Sequence, residues 1–251
     1  MPWTEVGDRV FFLHYPFLNQ NIGVILGEEG VMVVDTRSTP SQGLRIKDDL
    51  ASLTRLPIRW AVNTHHHWDH AFGNMVFTGA EIWGHEICHH NLVENAAAVI
   101  DELARDRRIA GNPEMADLSE VVIVPPDHTF SDQIELDLGS QPVELRYLGR
   151  GHTDGDIVVR AAGVNFAGDL VEEGAPPTFD DSFPQEWVGT LAAMAQLPDR
   201  AVVPGHGQVV DLKFVAGQRE QIQAAVDWFT SGGEAPYPKY SMDAIAARLD
   251  A

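Results

Sequence analysis

The chain is poor in three things, and each shortage excludes something. Cysteine occurs once, as Cys88, so no intrachain disulfide can form. A chain of 251 residues does not need one, because it can bury roughly 70–75% of its unfolded surface unaided. Basic residues are scarce, 17 against 37 acidic ones, for a formal net charge of −20. Such a surface repels phosphate backbones and argues against a nucleic-acid partner. Long apolar runs are the third shortage: nothing approaches the ~20 residues of a membrane span, so no membrane partner is expected. The start, Met1-Pro2-Trp3-Thr4-Glu5, has neither the basic nor the apolar region of a signal peptide, and the expected location is cytoplasmic.

What the chain does contain is short apolar runs separated by turn residues. Val10–Leu13, Ile22–Leu26 and Val31–Val34 read as strands, with Gly27-Glu28-Glu29-Gly30 turning between the last two. The segment between the first two, residues 14–21, carries large apolar groups at its tip and reads either as a flap over a site or as packing onto its own domain. Asp35 follows the third run. Ser41 caps a helix to about Leu56, Pro57 ends it, and Ile58–Val62 is the next strand. A long helix is expected from Glu86 to Arg108, broken at Gly111-Asn112-Pro113, and Val121–Val124 closes a first half.

The second half repeats the plan. Gln133–Leu138 pairs with Val143–Leu148, and Ile157–Arg160 pairs with Val164–Ala167, which leads into Gly168-Asp169. A helix over about 185–197 follows, then a strand, Ala201–Val203, opening into Pro204-Gly205-His206-Gly207. Helices near 212–229 and 242–249 complete the chain. Each half thus has a hairpin ending in aspartate, a helix, and a strand that delivers a histidine into a loop. This predicts an α/β fold of αββα type: two mixed sheets with outer helices, pseudo-duplicated halves, and both loop sets on one edge. No linker interrupts it, so one domain is expected over residues 1–251.

One stretch carries more chemistry than the rest, Asn63-Thr64-His65-His66-His67-Trp68-Asp69-His70. If the strand ending at Val62 continues extended, His65 and His67 point the same way and can share a metal ion. Asp69 and His70 then offer a carboxylate and a third imidazole, enough to begin a second site. Both donor types bind zinc at roughly 2.0–2.2 Å. A tag scar would sit at a terminus and would lack the interleaved Trp68 and Asp69. Three further residues stand in loops after strands: His152, Asp169 and His206, the last with small neighbours that let the backbone come close. His85-Glu86-Ile87-Cys88-His89 also fits the His-Glu-x-x-His pattern of zinc proteases, which needs a third ligand. The alternative reading is ordinary residues at the start of a helix.

Taken together, the His-x-His-x-Asp-His stretch, His152, Asp169 and His206 resemble the metallo-β-lactamase superfamily, whose motifs occur here in order along nearly the whole chain. The resemblance implies that His65, His67 and His152 hold one metal, that Asp69, His70 and His206 hold the other, and that Asp169 bridges them. It makes Asp35 an outer residue that orients a ligand. It also implies a dinuclear zinc hydrolase in which a metal-bound hydroxide attacks a small carbonyl substrate, with Asp69 as the catalytic group that orients the nucleophile. The expected cofactors are two zinc ions, with iron or manganese fitting the same nitrogen and oxygen donors.

Within the superfamily, many zinc β-lactamases carry cysteine where Asp169 stands, and a substrate-binding lysine three residues on, where this chain has Glu172. Asp169 with His70 is closer to the hydroxyacylglutathione hydrolases and acyl-homoserine lactonases, although the lactonases usually have tyrosine at the Glu172 position. The expected substrate is therefore a lactone, thioester, ester or β-lactam-like amide. An iron-dependent sulfur dioxygenase is the alternative, and a metal-dependent nuclease is disfavoured by charge. The acidic, proline-stiffened segment 171–181 is expected to line the mouth of the site.

Overall fold

Nearly every β-branched run above becomes a strand because each has apolar neighbours to meet on at least one face. In the computed structural model, which describes residues 2–249, the strands of the first half are β1 (Thr4–Gly7), β2 (Val10–Tyr15), β3 (Gln20–Leu26), β4 (Val31–Val34), β5 (Ile58–Val62), β6 (Glu81–His85) and β7 (His128–Phe130). Those of the second half are β8 (Gln133–Asp137), β9 (Pro142–Tyr147), β10 (Ile157–Ala161), β11 (Val164–Glu172) and β12 (Ala201–His206). The order along the ladder is β7-β6-β5-β4-β3-β12-β11-β10-β9-β8, with β2 and β1 branching from β3. Since β3 meets β12 through one residue pair, Gln20 with His206, the strands form two mixed sheets that touch at that point.

The layering follows from side-chain alternation. In β4, Val31 and Val33 pack outward with Ile46 and Leu50 of α1 (Pro40–Leu50), while Met32 and Val34 face the second sheet beside Leu145, Val159 and Phe166. All four are buried, which is why the strand reads as a continuous apolar run. Each such side chain stabilises the fold by roughly 1.5–3 kcal/mol. On the far side, α5 (Pro184–Met194), α6 (Leu212–Ser231) and α7 (Lys239–Leu249) cover the second sheet around fully buried Trp187. The result is the αββα sandwich. Its repeat is visible in the crossovers: β4–α1–β5 and β11–α5–β12 each join a parallel strand pair through one helix.

Several boundaries differ from expectation. Helix α1 is capped by Thr39, whose Oγ1 accepts from Gln42 N, with Pro40 at the first helical position; Ser41 instead bonds Asp117. It ends at Leu50, before the expected Leu56. The long helix is interrupted: α3 (Glu86–Arg105) stops at Asp106, whose side chain caps the short α4 (Arg107–Ala110). Val121–Val124 forms no strand, and Val122 is 60% exposed. The second hairpin does not stop at Asp169, because β11 runs on to Glu172. Strands β1, β6 and β7 have little apolar alternation of their own; β6 and β7 extend the first sheet by parallel pairing with β5 and with each other. Among the described residues no helix is long and apolar enough to cross a membrane.

Candidate metal centre

The loop after β5 is held by side chains where the ladder ends. Asp35, just past β4, accepts from Thr64 N (2.8 Å) and Thr64 Oγ1 (2.9 Å), and Asn63 Nδ2 donates to His70 O (3.1 Å). These bonds turn the chain into α2 (Trp68–Ala71), so the extended path expected past Val62 does not occur. His65 and His67 converge nonetheless, with ring centroids 4.7 Å apart. Asp35 has φ of +65°, an unfavourable conformation for a residue other than glycine; in it the carboxylate reaches both the loop and His70.

All seven expected site residues come together at the edge shared by the two sheets, in two groups. The first is His65, His67, His152 and Asp169; the second is Asp69, His70 and His206. In the second, His206 Nε2 lies 3.3 Å from Asp69 Oδ2 and 3.3 Å from His70 Nε2, and His70 Nε2 lies 3.6 Å from Asp69 Oδ2. In the first, His152 Nε2 is 2.9 Å from His67 Nδ1. Asp169 stands between them: Oδ2 is 3.5 Å from His152 and 3.3 Å from His206, and Oδ1 is 3.2 Å from His70. Two donors bound to one tetrahedral ion at roughly 2.0–2.2 Å stand about 3.3–3.6 Å apart, so most of these spacings match the edges of such a site. Gly205 is what allows Asp169 this position, since a Cβ there would fall 1.9 Å from Asp169 Oδ1.

The electrostatics favour a cation. His65 Nε2 and Asp169 Oδ1 are buried and make no hydrogen bond, although His70 lies beside the latter. Burial and the neighbouring imidazoles hold His65 well below its ordinary pKa, and burial lowers His152 to about 4, so both are neutral donors. For His70 and His206, burial is outweighed by Asp169 and Asp69, and both rise well above the ordinary value. Asp169 in turn is held well below the carboxylate range, burial being overcome by His206 and His70. Without a metal, protons on these two rings balance the enclosed carboxylates, and a divalent ion would displace them.

Each ring is also aimed from behind. His70 Nδ1 donates to Asp35 (2.8 Å), His206 Nδ1 to Leu18 O (2.7 Å), His152 Nδ1 to Thr178 O (3.2 Å) and His67 Nε2 to Asp181 (2.9 Å). His65 Nδ1 reaches Asp35 indirectly, through Thr64 Oγ1 at 3.1 Å. These acceptors assign the tautomers and leave the opposite nitrogen of every ring facing the cluster. Asp35 therefore supports both groups. Asp181 was not expected in this role; His66 at 3.6 Å and hydrogen-bonded His67 overcome its burial and keep its carboxylate ionised. With His66 and His67 it forms a third group of metal-ligand type. Its only signal in sequence was membership of an acidic loop.

The protease-like motif is committed elsewhere. His85 Nδ1 accepts from Ile87 N at the start of α3 and its Nε2 bonds Ser131 O, while His89 Nδ1 bonds Pro126 O. Cys88 is fully buried, and burial raises its thiol well above the ordinary value, so it is inert.

A cleft of about 670 Å3 opens over the cluster. Leu18 and Asn19, from the expected flap, line it, while Phe17 packs on the α3 core, so both readings of that segment hold in part. Glu172, Glu173, Asp180 and Asp181 of the acidic segment line the cleft, Glu172 buried within it.

Comparison with known proteins places these features in context. The family model described as "Metallo-beta-lactamase superfamily" matches residues 15–206. A "Metallo-beta-lactamase type 2" of Bacteroides fragilis is 33% identical over 109 residues, which span 41% of this chain and 44% of that relative, so less than half its length is matched. Among solved structures, a metallo-beta-lactamase from Pontibacter korlensis superposes with a TM-score of 0.70 at 19% identity, covering 88% of this chain and 98% of that one. The metallo-beta-lactamase FIM-1 from Pseudomonas aeruginosa, in a mono-zinc form, gives 0.67 at 19% identity, covering 90% and 96%. At these identities the structural likeness concerns the fold.

Proposed function

The chain belongs to the metallo-beta-lactamase superfamily, and from that premise we propose that it is a dinuclear zinc hydrolase of a small carbonyl substrate: a lactone, thioester, ester or β-lactam-like amide. The observation that carries this reading is the pair of donor groups sharing Asp169, each with nearly all of its rings oriented by an outer acceptor. His65, His67 and His152 would hold one ion and Asp69, His70 and His206 the other, with Asp169 between them. Bound there, a pair of divalent ions acidifies a water to a pKa near 7 and polarises the substrate carbonyl.

The chain's own groups do the rest. Asp69 lines the cleft and acts as the catalytic residue, accepting a hydrogen bond from the attacking water so that its free lone pair points at the carbonyl carbon. With the outer proton of each ring fixed, the inner nitrogen is the one left to act as a donor, and on His70 and His206 it becomes available when a divalent ion displaces the proton held there. The charge balance supports a small-molecule substrate, not a nucleic acid.

Elemental analysis of the purified protein, with a hydrolysis panel on zinc-loaded and chelator-stripped forms, checks the reading. Close to two zinc equivalents and chelator-sensitive hydrolysis are expected. Iron, oxygen consumption and no hydrolysis would instead support a sulfur dioxygenase, since these donors do not select zinc.

A further inference from the structure

The cleft continues well beyond the His/Asp cluster. Leu92, Ala96, Val99 and Leu103 of α3 line it, spaced four, three and four residues apart and so on one face of the helix, with Trp68 and Phe72 nearer the cluster. From Leu92 to Leu103 the helix rises about 16 Å. Leu92, Ala96 and Leu103 also belong to the apolar cluster around Phe72 and Met115, so the inner side of α3 serves at once as core and as cleft wall. The trench ends at Glu102 and Asp106. Asp106 is paired with Arg108 at 2.7 Å, whereas Glu102 has no ion pair or side-chain hydrogen bond among the described residues. Among the described residues no lysine or arginine lines the cleft; its ionisable groups are histidines and carboxylates.

We propose that the substrate, on the hydrolase reading above, is an elongated ester, thioester, lactone or amide with a long apolar arm lying along α3 and a far end that is uncharged or cationic. Leu92, Ala96, Leu103 and Phe72 are nearly buried by the fold itself and present an apolar floor. Half-buried Val99 and Trp68 stay partly in water beside a short polar substrate and are covered by an apolar arm, whose own methylenes leave water as well. A carboxylate at the far end would meet Glu102 with no cation to receive it; an ammonium group there finds a partner.

Two matched series test this on the zinc-loaded full chain: acyl esters from acetyl to dodecanoyl, and alkanehydroxamates of the same lengths, which bind without turnover and are followed by calorimetry. Each carries a methyl, trimethylammonium or carboxylate far end. Both kcat/KM and affinity should rise about fourfold per methylene until the trench is filled. Carboxylate ends should be weaker than methyl ends by roughly fivefold, as suits an exposed rim, and ammonium ends at least as good as methyl. Val99→Phe, or Asn95→Trp should that variant fail to fold, should flatten the chain-length dependence. A flat profile in wild type, or a preference for carboxylate ends, would overturn the proposal. Length-dependent hydroxamate binding with no ester cleaved would sink the hydrolase reading and leave the trench standing.

Discussion

Asp35→Asn keeps the size of the side chain and removes its charge, and the bonds around Asp35 set the cost of that change. Asp35 Oδ1 accepts from Thr64 N at 2.8 Å; Oδ2 accepts from His70 Nδ1 at 2.8 Å and from Thr64 Oγ1 at 2.9 Å. Asparagine has one acceptor oxygen and one donor amide. Turned one way, its amide opposes Thr64 N–H. Turned the other, it opposes His70 Nδ1–H, and relief requires moving the ring proton to Nε2, the atom that faces His206 and Asp69. Either orientation leaves a buried donor unsatisfied at about 1–3 kcal/mol, and the remaining bonds lose their charge assistance. A total near 3 kcal/mol corresponds to a fall in Tm of roughly 6–12 °C for a chain of this size. Metal affinity should fall ~10–100-fold, most at the group containing His70. Competition with a chromophoric chelator and thermal denaturation measure the two effects. If Asp35→Asn binds zinc within twofold of wild type and melts at the same temperature, the assignment of Asp35 as the common support is wrong.

Three further outcomes rest on the same geometry. Asp181→Asn should weaken metal binding at the three-histidine group by about tenfold, at the mild end of such effects because Asp181 is partly exposed; stepwise zinc titration separates this from the other group. Gly205→Ala should displace Asp169, costing about 1–3 kcal/mol of stability, and should abolish binding of the second metal equivalent, read by elemental analysis. In the metal-free protein, burial and then Asp169 raise the Glu172 carboxyl to about 8 from an ordinary 4.5. The folded state therefore retains a proton that the unfolded state has released, so this contribution to stability is complete below about pH 4.5 and lost as pH rises through about 8. Urea unfolding across that window should show a steeper decline for wild type than for Glu172→Gln, and parallel curves would contradict the protonated state.

The αββα order and the donor residues were legible because each depends on short-range pattern. Val31–Val34 is uninterrupted β-branched and apolar chain that only a strand buried on both faces accommodates, and the interleaving of His65, His67, Asp69 and His70 is a local spacing. Strands β6 and β7 were not legible: Glu81–His85 carries charge and glycine and becomes a strand through its parallel pairing with β5. Val121–Val124 shows the converse, an apolar run that pairs with no strand and stays irregular and partly exposed.

The site divides along the same line. Local sequence determined which donors are present and that they are imidazole and carboxylate. Only the tertiary structure decided that Asp169 lies between the two groups, that Asp181 reaches back across the cleft to His67, and that Asp35 serves both His70 and, through Thr64, His65. Donor chemistry is a property of a side chain, whereas a ring's tautomer and aim depend on an acceptor that the chain brings close only by folding.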